Sequence, residues 1–303
     1  MTRRFGAIAL RVAVSAALLG AVLVGTEPAA VARLLAGINP VWLLPVLLIS
    51  VVQVALSAWR WRFTAARLGI ELRWGRALAE YYLATFLNQV LPGGVTGDAA
   101  RAWRHGRLLA EYGPAVRAVV IERASGQLVM AAVAVTALLA QPGLLAQLPA
   151  GWAWQVVLAT VALALLGALL AVLVRSRHGA PLRRFASDLR RALLAPAVLP
   201  IQLVTSIAVV ATYIAVYWSA ARARGIDTPA AELLPLVPLV LLAMLIPLSV
   251  SGWGFREAAA ALLWPLAGLP ASEGVAIAVA YGLFVLLASL PGLLVAVARP
   301  AAP

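Results

Sequence analysis

The 303-residue chain contains no cysteine and no lysine, two histidines, and charged residues at only 12% of positions. Without cysteine there is no disulfide, thiol nucleophile, haem thiolate or cysteine zinc site. His105 and His178 stand far apart and form no HExxH pattern, so most metal-dependent and Ser/His hydrolase chemistries lack their residues. No cofactor and no metal is expected. What dominates is apolar: 64% hydrophobic residues and a mean hydropathy of +0.98. That balance belongs to a chain dissolved in lipid, and the expected class is an all-α polytopic membrane protein.

All 24 basic residues are arginine, and against 11 acids they give a net charge of +13. In a soluble domain this excess would point to nucleic acid. In a membrane protein it points to topology, because arginine collects in the loops that stay on the cytoplasmic side.

A hydrocarbon core about 30 Å thick takes roughly 20 apolar residues per helix, since lipid offers no partner to a free backbone amide. Six segments meet this, at about 5–25, 41–59, 117–140, 153–174, 196–220 and 273–298. Two more, at 77–95 and 231–250, are shorter or broken by proline, and each ends in a Gly- or Ser-rich turn. They read as re-entrant hairpins. With the N-terminus cytoplasmic and both hairpins returning to their own side, 18 arginines fall inside and four outside, Arg60 among the inside ones. Making either hairpin a full crossing destroys that bias. The expected location is a plasma (inner) membrane of bacterial type, with both termini cytoplasmic.

The chain also repeats itself. A shift of 155 residues lays Pro92, Val95, Gly97 and Arg101 on Pro247, Val250, Gly252 and Arg256, and Thr96 on Ser251. The same shift carries spans onto spans and hairpin onto hairpin. Each half, about 1–145 and 146–303, then holds three crossings and one hairpin. An odd number of crossings turns the second half upside down, giving an inverted-topology repeat within one membrane domain.

Three clusters carry polar chemistry. The first is Asn88, Gly94, Thr96, Asp98 and Arg101, where glycine lets backbone line a cavity and a helix restarting near Asp98 presents amides to an anion. A capped cytoplasmic turn with a surface ion pair is the alternative. The second is Ser251, Gly252, Arg256 and Glu257, in which the planar arginine fork suits a phosphate; a loop arginine at headgroup level is the alternative. The third is Glu122, Arg123 and Gln127 inside an apolar span. Charges there face a cavity or a partner, or else snorkel to the nearer interface. Tyr81, Tyr82 and most tryptophans, among them Trp61 and Trp264, sit near span ends and read as an interfacial belt.

At Trp61 to Leu68, Tyr81 to Arg101 (YYLATFLNQVLPGGVTGDAAR), Ala118 to Gly126 (AVVIERASG) and Ser251 to Glu257 (SGWGFRE), the chain resembles the flippase-like family named for the transmembrane region of lysylphosphatidylglycerol synthase. The resemblance implies an inner-membrane protein that moves or handles a lipid with a charged headgroup. Its partner would be a membrane phospholipid or other lipid-linked substrate. Asp98, Glu122 and Glu257 would meet cationic groups, and Arg101, Arg123 and Arg256 would meet phosphate. Bifunctional relatives add a cytosolic aminoacyl-transferase domain. Here the chain ends at Pro303, just past its last span, so any such activity is expected in a separate synthase. A membrane enzyme of polyprenyl or lipid-linked sugar metabolism, and an accessory protein of such a pathway, are the competing functions. The first of these usually needs an Asp-rich metal motif or a catalytic histidine, which the sequence does not offer.

Overall fold

A computed structural model of the protein describes residues 28–91, 94–141, 180–244 and 249–298, with isolated positions 13, 16, 17, 20, 21, 24 and 143. Its elements are helices, and no strand occurs among the described residues. In chain order they are α1 (Pro28–Ala36), α2 (Leu43–Arg67), α3 (Trp74–Val90), α4 (Thr96–Leu109), α5 (Tyr112–Leu139), α6 (Ala180–Leu189), α7 (Leu199–Ala223), α8 (Ala230–Leu233), α9 (Leu236–Ala243), α10 (Phe255–Leu266), α11 (Ala271–Ser289) and α12 (Pro291–Ala298). A 3-10 turn leads into α2 and a π turn follows α6.

Four helical stretches are long and apolar enough to cross a bilayer: Pro40–Arg67, Tyr112–Leu139, Leu199–Ala223 and Ala271–Ala298. They match four of the six expected spans, and the protein is a multi-pass membrane protein. The span expected at 153–174 lies outside the described residues, as does the one at 5–25 apart from isolated positions. One boundary differs in a way that matters. The second span runs past the expected end at residue 59 and continues to Arg67, so Arg60 belongs to the helix and not to a cytoplasmic loop.

Each segment expected as a hairpin supplies only one arm of a broken helix pair, and the other arm begins beyond the expected end at residue 95 or 250. Apolar α3 ends at Val90 and α4 starts at Thr96; in the second half α9 ends at Ala243 and α10 starts at Phe255. The two arms of each pair pack on one another.

The repeat expected from the sequence has counterparts in the element starts. Leu199 and Ala230 open their helices close to one repeat length after Leu43 and Trp74, and Phe255 and Ala271 do so after Thr96 and Tyr112. The ends of α2 and α7 are built alike. Gly69 takes φ +78° and Gly225 φ +67°, and the amides of Ile70 and Ile226 reach back to the carbonyls of Ala65 and Ala221. This is a helix stop that needs a left-handed residue, which glycine supplies without strain. The packing is also exchanged between halves: α2 lies against α5 and α11, and α7 lies against the same two helices; α3 lies on α11 as α9 lies on α5; α4 lies on α5 as α10 lies on α11. The halves therefore interlock, each broken helix resting on a span of the other half.

Aromatic residues near the span ends depart from the interfacial-belt expectation. Trp61 and Trp264 are fully buried and Tyr81 nearly so. Each fills space between helices, Trp61 with Tyr81 and Trp264 with Tyr217 and Tyr281. Trp74 is exposed, as a belt residue would be.

Candidate functional site

Polar residues spaced along single helix faces converge where α2, α3, α4 and α5 meet. On α2 the positions Gln53, Ser57, Arg60 and Thr64 recur at helical spacing, so they form one polar stripe on an otherwise apolar helix. Arg60 is buried, donating from Nη2 to Glu122 Oε1 at 2.6 Å and from Nη1 to Ser206 on α7 at 2.9 Å. Room for its guanidinium comes from Gly126: a Cβ there would stand 2.8 Å from Nη2 of Arg60.

Glu122, completely buried on α5, receives a second arginine. Arg101 on α4 donates from Nη2 to Glu122 Oε2 at 2.6 Å and from Nε to Asp98 at 3.0 Å. Its guanidinium also lies over the rings of Trp61 and Tyr81, at 4.7 and 4.4 Å. Tyr81 completes the shell of Glu122 with its hydroxyl, 3.3 Å from Oε1. Glu122 does not pair with its neighbour Arg123. Successive residues on a helix point about 100° apart, and Arg123 turns instead to Asp98, 2.8 Å from its Oδ2. Snorkelling does not describe Glu122, whose carboxylate meets two guanidinium groups deep among helices.

The turn ahead of α4 is held by Asn88, which accepts from the amide of Gly97 at 2.7 Å and donates to Asp98 at 3.0 Å. The Gly97 amide at the restart of the helix is therefore taken by the chain itself. Asp98 stands in the first turn, where the helix dipole favours an anion. Thr96 opens α4, and Gly94 adopts φ +61°. Pro92 and Gly93 lie outside the described residues.

Arg256 and Glu257 form a second, smaller cluster. Arg256 donates to Glu257 from both Nε and Nη2 and lies over Trp253 and Tyr281. Glu257 in turn accepts from the amide of Gly254 at 2.7 Å. Arg101 and Arg256, matched by the sequence repeat, thus share one environment: a buried glutamate and two aromatic faces. Gly252, at φ +80°, sits beside them in the turn.

Between the clusters lies a cavity of about 210 Å³. Arg60, Arg123, Asn88 and Gln127 line it, with Gln53, Gln89, Tyr213, Ser251 and apolar side chains of α5, α7, α9 and α11. Gln127 shares the cavity with Arg123, four residues earlier on α5. The two broken helices touch here: Ser251 donates to Gln89 Oε1 at 2.6 Å. Of the sequence candidates, Asn88, Gly94, Arg123, Gln127 and Ser251 reach the wall. Asp98, Arg101 and Glu122 stand behind it, and Arg256 and Glu257 lie off it. Arg60, Gln53 and Gln89 are wall residues outside the three sequence clusters, though the stripe on α2 marks the first two.

Near the C-terminal end of α4, His105 packs edge-on to Trp61. Burial, and then the nearby Arg76, hold its imidazole below its ordinary range. Among the described residues no group of three or more His, Asp or Glu is placed to hold a metal.

A multi-pass helical membrane protein whose broken helices meet at a polar cavity walled by arginine is the class these features define. Within that class the chain belongs to the family described as the lysylphosphatidylglycerol synthase TM region, whose model matches residues 8–292. Comparison with curated proteins and with solved structures finds no match.

Proposed function

We propose that the protein carries the headgroup of a phosphate-bearing lipid across the membrane through this cavity, the acyl chains staying in the bilayer. One observation carries the reading. The buried cluster of Arg60, Arg101, Arg123, Asp98 and Glu122 holds three cations against two anions, so one positive charge is left over beside the cavity. A surplus charge among apolar helices is costly unless an anion answers it. Arg123 is placed to receive that anion. It is about one-third exposed toward the cavity, and its Nε is buried without an acceptor.

The architecture supports transport. A helix rises about 1.5 Å per residue and the hydrocarbon core is about 30 Å thick, so a crossing takes roughly 20 residues. With 14, eight and 12 residues, α4, α9 and α10 fall short of that, as re-entrant arms would. Two such hairpins in inverted repeats, touching at Gln89 and Ser251, give a site open by turns to either face. In this reading the protein is no enzyme and sits in the inner membrane with cytoplasmic termini.

Purified protein in liposomes with a headgroup-labelled phospholipid tests the function. Translocation of unchanged lipid supports it, and a new chemical product would move the assignment to the membrane-enzyme class. Neither result would leave an accessory protein. The topology is tested in the cysteine-free chain by single cysteines: Arg107→Cys and Arg183→Cys should label only from the cytoplasm and Thr228→Cys only from outside. Labelling of position 107 from outside sinks the hairpin arrangement.

A further inference from the structure

The charge on the cavity wall has one sign. Arg60 and Arg123 line it, and among the described residues no carboxylate does. Of the eleven acidic residues only Glu27 falls outside the described residues. The acids near the cavity are already engaged. Glu122 holds Arg60 and Arg101, Asp98 holds Arg101, Arg123 and Asn88, and Glu257 holds Arg256 and the Gly254 amide. A cationic group entering the cavity would face two guanidinium ions and find no free carboxylate on the wall to receive it, in surroundings where like charges repel strongly. Drawing Asp98 toward it would mean breaking three buried bonds. The rest of the polar wall is uncharged: Gln53, Gln89, Gln127, Ser251 and Tyr213 offer amide and hydroxyl groups, which both donate to and accept from hydroxyls.

We infer that the lipid's headgroup is a phosphate with an uncharged, hydroxyl-bearing remainder, such as glycerol or a sugar, and that a phospholipid carrying an aminoacyl ammonium is rejected. This rests on the reading of the cavity as a headgroup site and narrows it: the carboxylates the sequence offers for cationic groups are the ones that hold the arginines in place.

Binding separates this inference from transport. Radiolabelled phosphatidylglycerol is bound to the full chain in detergent micelles and competed with phosphatidylglycerol or lysyl-phosphatidylglycerol of the same acyl chains. The lysyl lipid should compete at least about tenfold less well, a gap of one decade in Kd. Gln127→Glu, which places a carboxylate on the wall at nearly constant volume, should narrow or reverse the ranking, and Gln53→Glu provides the same readout from the opposite helix. Equal or better competition by the lysyl lipid overturns the inference, as does a ranking that neither variant moves. Absence of any lipid binding overturns it together with the transport reading. Liposomes that move no lipid while the micelle ranking holds would sink transport and leave the headgroup assignment standing.

Discussion

Gly126 on α5 faces the guanidinium of Arg60 on α2 so closely that a Cβ at position 126 would lie 2.8 Å from Nη2. That nitrogen is the one donating to Glu122, and Nη1 of the same group is tied to Ser206. The side chain cannot swing aside without giving up a buried charged hydrogen bond. Gly126→Ala should therefore cost about 1–3 kcal/mol, despite the gain in helix propensity that alanine normally brings. Thermal unfolding in detergent reads this, and an unchanged midpoint would mean that Arg60 yields freely.

The Glu122 cluster makes a sharper demand. Removing the carboxylate leaves Arg60 and Arg101 facing each other across a buried gap, and breaking a buried pair typically costs about 3–5 kcal/mol. Adding Arg123→Ala to Glu122→Gln should not rescue stability, because Arg123 answers Asp98 and not Glu122. Adding Arg60→Met should recover part of it, since it removes one of the two guanidinium groups that lost Glu122 as their acceptor. Unfolding midpoints of the single and the two double variants settle the order. Rescue by Arg123→Ala alone would mean that the neighbouring residues pair after all.

Much of this arrangement was legible in the sequence. The broken segments, the matched element starts and the burial of Glu122 among partners followed from hydropathy, the internal shift that lays one half on the other, and the cost of charge in lipid. The partners were not legible, for two physical reasons. Glu122 and Arg123 are adjacent in the chain, but helical rotation sends neighbouring side chains to different partners. Arg60 fell just beyond the expected end of its span, where an arginine resembles a topological anchor. Only the stripe Gln53, Ser57, Arg60, Thr64 distinguishes it, and that pattern spans the boundary a hydropathy window draws. Arg101 and Arg256 matched across the repeat, yet the match marks a shared way of burying an arginine and not a shared place on the cavity wall.

His105 sets a pH limit on stability. Its folded imidazole is held below the ordinary value of 6.5 by burial and by Arg76. Below about pH 6.5 the unfolded chain therefore binds the proton more readily than the folded one, and stability falls with falling pH until the folded group also titrates. Above that value its contribution is constant. Unfolding midpoints should drop between pH 7.5 and 5.5, and His105→Gln should flatten part of that drop. A wild-type profile that rises on acidification would reverse the assigned sign.

The last prediction separates arginines that hold the fold from one that meets cargo. Arg101 satisfies two carboxylates and lies over two aromatic rings, and a lysine there keeps the charge but has no fork to span Asp98 and Glu122. Arg101→Lys should lose about 1–3 kcal/mol of stability and lose transport along with it. Arg256→Lys should behave the same way, because its double donation to Glu257 is equally lost. Arg123 is different: one acceptor, Asp98, and partial exposure to the cavity. Arg123→Lys can keep its charge near Asp98, so unfolding should shift little, while phosphate recognition through the remaining guanidinium nitrogens is lost. Lipid binding should then fall by about tenfold or more, the scale of one charge-assisted hydrogen bond. Binding that survives Arg123→Lys unchanged, alongside a large loss of stability, would place Arg123 with the structural arginines and leave the cavity without its phosphate contact.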